Sequence, residues 1–163
     1  MHKSIDKELA LRYLTLIGSC YASGDFEPLF PYLSSDCVWE SQWRLTPEKG
    51  KHEVTNYFRK KGEILKESGA FPKWMVVQFI DNMNVVNNAN VKVNKEDWKT
   101  AGFALLYTPG ELALFMSQDL NDYSNAIILR ITVKDDFISR IDLCMPELFK
   151  FERYEYEDDM KKD

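Results

Sequence analysis

"GDFEPLFPYLSSDCVWESQW", residues 24–43, changes its periodicity halfway along and so decides how the chain is read. Gly24 is a helix stop and Asp25 a fresh cap, and Phe26, Leu29, Phe30 and Leu33 then recur at the spacing of a short helix with one apolar stripe. From Cys37 the pattern alternates instead, with Cys37, Trp39, Ser41 and Trp43 on one side of a strand and Val38, Glu40 and Gln42 on the other. A short helix hands over to a strand, and that strand sends its tryptophans and its carboxylate to opposite faces.

Upstream, Ile5, Leu9, Tyr13, Leu16, Ile17, Cys20 and Tyr21 follow helical spacing, with Ser4 as N-cap and Gly24 as stop. Downstream, "LTPEKGKHEVTNYFRKKGEILKESG" predicts a third helix that starts between Pro47 and Lys51 and ends at Gly69, with Val54, Tyr57, Phe58, Ile64 and Leu65 on its buried side and Gly62 weakening its middle. After Pro72 the runs "KWMVVQFID", "FALLY", "ELALFMSQD", "NAIILRITV" and "FISRIDLCM" are β-rich and separated by turn signals, which reads as an antiparallel meander. Residues 82–97 are Asn-rich and fit an extended hairpin or a long loop. The end, "FKFERYEYEDDMKKD", reads as a last helical turn followed by a frayed acidic tail over 155–163. Helices, one strand, a helix and then a run of strands make an α+β fold, with helices packed on one face of a curved sheet.

The 163 residues suit one domain spanning 1–163, and the 45% hydrophobic and 29% charged content is that of a globule. A net charge of -5 argues against nucleic-acid binding, and the one basic knot, "FRKKGEILK", is a solvated helix face. Cys20, Cys37 and Cys144 are odd in number, widely spaced and set among apolar residues, as reduced thiols of a cytoplasmic protein are. No apolar run reaches the ~20 residues of a membrane span. Two histidines and no ligand-spaced triad leave no expected metal, and the lack of a Gly-rich phosphate loop leaves no expected cofactor.

"YASGDFEPLFPYLSSDCVWES", "GKHEVTNYF" and "ILRITVKDDFISRIDL", in this order, resemble the nuclear transport factor 2-like superfamily, near its SnoaL-like branch. The resemblance covers nearly the whole chain. It implies a cone of bent antiparallel sheet closed by three helices around a pocket, and a homodimer formed through the outer sheet face. The superfamily holds isomerases, cyclases, dehydratases and many non-catalytic members, so fold alone settles little about function.

By position in "CVWES", Glu40 matches the acid that shuttles a proton in the isomerase-like members. A carboxylate in a water-poor cone would have its charged form destabilised and its pKa raised toward a useful range. Tyr13, in mid-helix, and His52, at the start of the third helix, are the candidates to polarise or orient a substrate. The second donor those isomerases use has no match, because the penultimate strand "AIILRITV" has Arg130 as its one ionisable residue. Ile17, Val38, Gln42, Val54, Tyr57, Phe58 and Met116 are expected to line the pocket, and Asp142 to supply a charge there or an ion pair across the sheet. The expectation is a non-catalytic binder of a small, largely apolar molecule, with a cofactor-free isomerase, cyclase or dehydratase as the alternative. Which face of the first strand looks into the cone decides between them: if Glu40 points in, Trp39 and Trp43 point out.

Overall fold

Leu11, Leu14 and Ile17 recur on one side of the first helix, and burying them requires a broad apolar surface, which the strands supply. The computed structural model describes residues 2–81, 109–122, 124–146 and 150–155. Its first helix, α1, runs His2–Ser23, and Gly24 follows with φ 77°, its N–H donating to the Cys20 carbonyl. Asp25 then accepts from the Glu27 N–H at 3.1 Å. The short helix so started is a 3-10 helix, Glu27–Tyr32, that buries Leu29 and Phe30.

Strand β1, Leu33–Ser41, comes next, then a two-residue strand β2, Glu48–Lys49, and helix α2, Lys51–Ser68, closed by Gly69 in the left-handed conformation. The buried residues of α2 are Val54, Phe58, Gly62 and Leu65; Ile64, expected among them, is 57% exposed because it lies off that stripe. The remaining strands are β3 (Lys73–Asp81), β4 (Leu112–Ser117), β5 (Ile127–Lys134), β6 (Phe137–Cys144) and β7 (Lys150–Arg153).

They form one curved, unclosed sheet of seven strands in the order β2-β1-β6-β5-β4-β3-β7. This α+β architecture of helices on a curved sheet is the one the superfamily resemblance implies. The meander is antiparallel as expected from β3 to β6, but β1 joins it parallel to β6, with Glu40 opposite Asp142. A parallel neighbour needs a long crossover, and everything from α2 to β5 supplies it. The expected last helical turn is instead partly a strand: Lys150–Arg153 pairs with β3, and Phe151 packs beside Phe115 at 5.7 Å between ring centroids. "FALLY", residues 82–97 and residues 156–163 lie outside the described residues.

The sheet carries apolar groups on both faces. On the helix side Trp39, Leu114, Leu129, Ile141 and Leu143 join Leu14, Ile17, Val54 and Phe58 in the main core. On the other side Val77, Phe79, Phe115, Ile128 and Cys144 form a second cluster. Two glycines set how closely the helices sit. A Cβ on Gly62 would lie 2.3 Å from the Gly24 carbonyl oxygen, and one on Gly18 would lie 2.4 Å from the Trp74 ring, so both contacts need a residue without a side chain.

Candidate functional site

The burial pattern of β1 fixes its direction. Cys37, Trp39 and Ser41 are buried against the helices, while Val38 and Glu40 are half-buried on the other face. Trp39 is 1% exposed, and its ring sits against Tyr57 of α2 with centroids 3.9 Å apart and planes 31° from parallel. A large ring buried this way stabilises by roughly 2–3 kcal/mol, far more than the same position would gain from a solvated acid. Packing therefore turns the tryptophan face inward.

At the open end of this inner face lies a cavity of about 360 Å³, lined among others by Tyr21, Trp39, Trp43, Tyr57, Leu65 and Met116. That is the size of a small-molecule site. Trp43, just past the end of β1, is 53% exposed and forms part of the rim. Its N–H donates to the Ser41 hydroxyl at 3.2 Å, which holds the turn that leads away from the strand. Arg44 reaches back over the aromatic pair, its guanidinium carbon 5.1 Å from the Trp39 ring centroid and 5.7 Å from that of Tyr57. Glu48 holds it there at 2.8 Å. Lys61 of α2 adds a second cation to the wall.

Among the described lining residues there is no carboxylate and no imidazole. Burial pushes the Tyr57 phenol up to about 12, with Arg44 pulling it down and Glu48 pushing it up. Burial also raises the Tyr21 phenol well above its usual value. Both keep their protons at neutral pH, so they act as donors and not as bases.

Glu40, Tyr13 and His52 do not converge on this space. Glu40 lies on the opposite face of β1, where it is ion-paired with Arg140, which also donates from Nε to both Asp142 oxygens at 3.0 Å. Asp142 is buried in that row, and burial pushes its carboxyl up to about 6 against the pull of Arg140 and Arg130. Arg130 in turn pairs with Glu111 at 2.7 Å. Tyr13 is buried against Tyr32, and its hydroxyl donates to the Asp136 carbonyl in the turn between β5 and β6. His52 is exposed on the first turn of α2, 3.2 Å from the Asn56 amide.

Of the residues expected to line a pocket, Tyr57 and Met116 line this cavity. Ile17, Val54 and Phe58 are wholly buried core. Val38 and Asp142 belong to the Glu40 face, and the Gln42 side chain is spent accepting from the Met145 N–H at 2.6 Å. The aromatic content and the alternation of β1 already offered Trp43, with Trp39, as able to line or to fill a cavity, whereas Arg44, Lys61 and Tyr21 were not among the expected lining, although Lys61 stands one helical turn from Tyr57.

No family model matches the chain, and no curated protein matches it. Among solved structures it is similar to a Kribbella flavida protein provisionally named a ketosteroid isomerase, at 14% identity over 93% of this chain and 84% of that one, with a TM-score of 0.47. It is likewise similar to an NTF2-like protein of unknown function from Cytophaga hutchinsonii (14% identity, 83% and 96% covered, TM-score 0.41). A de novo designed protein with a curved β-sheet is a third (15% identity, 83% and 87% covered, TM-score 0.46). At these identities and scores the likeness decides nothing about what the chain does.

Proposed function

We propose that this chain is a nuclear transport factor 2-like, SnoaL-like protein that binds a small, largely apolar molecule in the cavity between Trp39, Tyr57 and Met116 without transforming it, and that it works in the cytoplasm as a homodimer. The observation that carries the reading is the make-up of the cavity wall: aromatic and aliphatic side chains with two protonated phenols, two cations and the uncharged polar Ser41, Ser117, Gln118 and Asn125, and no acid or base among its described residues. General acid–base work needs a group that can take a proton near neutral pH within reach of the substrate. Glu40, the candidate for that role, is on the far side of its strand and held by Arg140. That no described helix is long and apolar enough to cross a membrane agrees with the same reading.

A screen of small ring compounds tests it, read by thermal unfolding and by tryptophan fluorescence, since Trp39 and Trp43 both border the cavity. At a hundredfold excess over Kd a ligand stabilises by about 2.7 kcal/mol, which for a chain of this size raises Tm by roughly 5–10 °C. A screen in which no compound moves either signal rejects the pocket-binding reading.

A further inference from the structure

Two polar atoms on cavity-lining residues, the Tyr21 hydroxyl and Trp39 Nε1–H, have no hydrogen-bond partner among the described residues, but on residues 3% and 1% exposed they lie behind the wall and out of a ligand's reach. The wall's serines, by contrast, are already engaged: Ser41 Oγ accepts from Trp43, and Ser117 donates to the Asp122 carbonyl at 3.0 Å while accepting from the Asp119 N–H. The positive charge is distributed in the same one-sided way. Arg44 is matched by Glu48, whereas half-buried Lys61 takes part in none of the ion pairs among the described residues. Of the wall's two cations, the one without an ion-pair partner among the described residues is therefore Lys61, set beside the rings of Tyr57 and Trp43.

We propose that the cavity takes a planar carboxylic acid of one or two rings, bound as its carboxylate to Lys61 with its ring against Trp43 and Tyr57. This rests on the small-molecule reading above and adds the charge and shape of the ligand to it. An anion is favoured because its desolvation is offset where a half-buried cation without a described ion-pair partner stands in a wall that has no described carboxylate to oppose it. Flatness follows from the aromatic surfaces, against which a planar ring packs by offset stacking.

The test titrates the protein with benzoate, 2-naphthoate and indole-3-acetate, and with the primary amide of each, by calorimetry and tryptophan fluorescence. At least one acid is expected to bind about tenfold or more tighter than its amide, a gap that narrows at high salt. Lys61→Gln is expected to bring that acid to within about threefold of its amide, and Lys61→Arg to restore the preference. Amides that bind as tightly as the acids overturn the anion proposal and leave the pocket reading standing. A preference for acids that survives Lys61→Gln overturns the assignment of the charge to Lys61, and failure of acids and amides alike at millimolar concentration removes both readings.

Discussion

Arg140 stands between Glu40 and Asp142 on neighbouring strands, and the balance of burial against pairing in this row sets how the protein responds to acid. Asp142 is 4% exposed, and its carboxyl is pushed up to about 6 because burial outweighs the guanidinium beside it. A carboxyl raised in the folded state binds its proton more tightly there than in the unfolded chain. Stability from this group is therefore greatest below the unfolded value near 4, is lost as pH rises toward about 6, and is flat above that. The expected result is that the difference in unfolding free energy between Asp142→Asn and the wild type shifts by roughly 2 kcal/mol in favour of the variant between pH 4 and pH 7. Urea denaturation across that range measures it, and the constant cost of removing the ion pair cancels from the slope. A shift in favour of the wild type would mean that Arg140 outweighs burial. At this scale the sequence exposes the alternation of β1, which puts Trp39 and Glu40 on opposite faces, but not which face meets the helices. That choice rests on the contact between Trp39 and Tyr57, eighteen residues apart in sequence and on different elements.

Among the elements, α2 and the exit of α1 meet where neither has a side chain. Gly62 sits in mid-helix, where Ala would favour the helix by about 1 kcal/mol, yet the added Cβ would come within 2.3 Å of the Gly24 carbonyl oxygen. That oxygen is backbone and cannot rotate away, so Gly62→Ala must push α2 outward and loosen the packing of Val54, Phe58 and Leu65, its own buried side chains. A net loss of roughly 1–3 kcal/mol is expected in chemical denaturation, whereas Ile64→Ala, on the exposed side of the same helix, should change stability by less than about 1 kcal/mol. Equal effects at the two positions would show that the close approach does not hold. The glycine's presence in a helical pattern was visible in the sequence; its reason was not, because the oxygen it accommodates belongs to a turn 38 residues earlier. The strands divide in the same way. β3 to β6 were readable from local alternation and turn residues. The parallel pairing of β1 with β6 and the docking of β7 on β3 depend on partners that no local pattern names.

For the whole molecule, the proposed homodimer needs a surface that two copies can share, and the outer face of β1, β6 and β5 has the right character. A two-fold interface brings the same patch onto itself, so a patch with both signs of charge can pair with its own copy while one with a single sign repels. Glu40 and Arg140 supply the two signs, Val38 lies half-buried beside them, and exposed Thr132 faces Arg140 across the β5–β6 ladder. Arg140 is 39% exposed, so its pairing leaves guanidinium surface that a second copy could cover. Thr132→Arg would place another cation beside Arg140 in each copy, four positive charges around one axis, without touching the helix-side core. Sedimentation is expected to show a concentration-dependent dimer for the wild type and a weakening of at least about tenfold for the variant, a loss of roughly 1.4 kcal/mol, with high salt restoring part of it by screening. A wild type that stays monomeric at high concentration removes the dimer, and a Thr132→Arg variant that associates as tightly as the wild type moves its interface to another face.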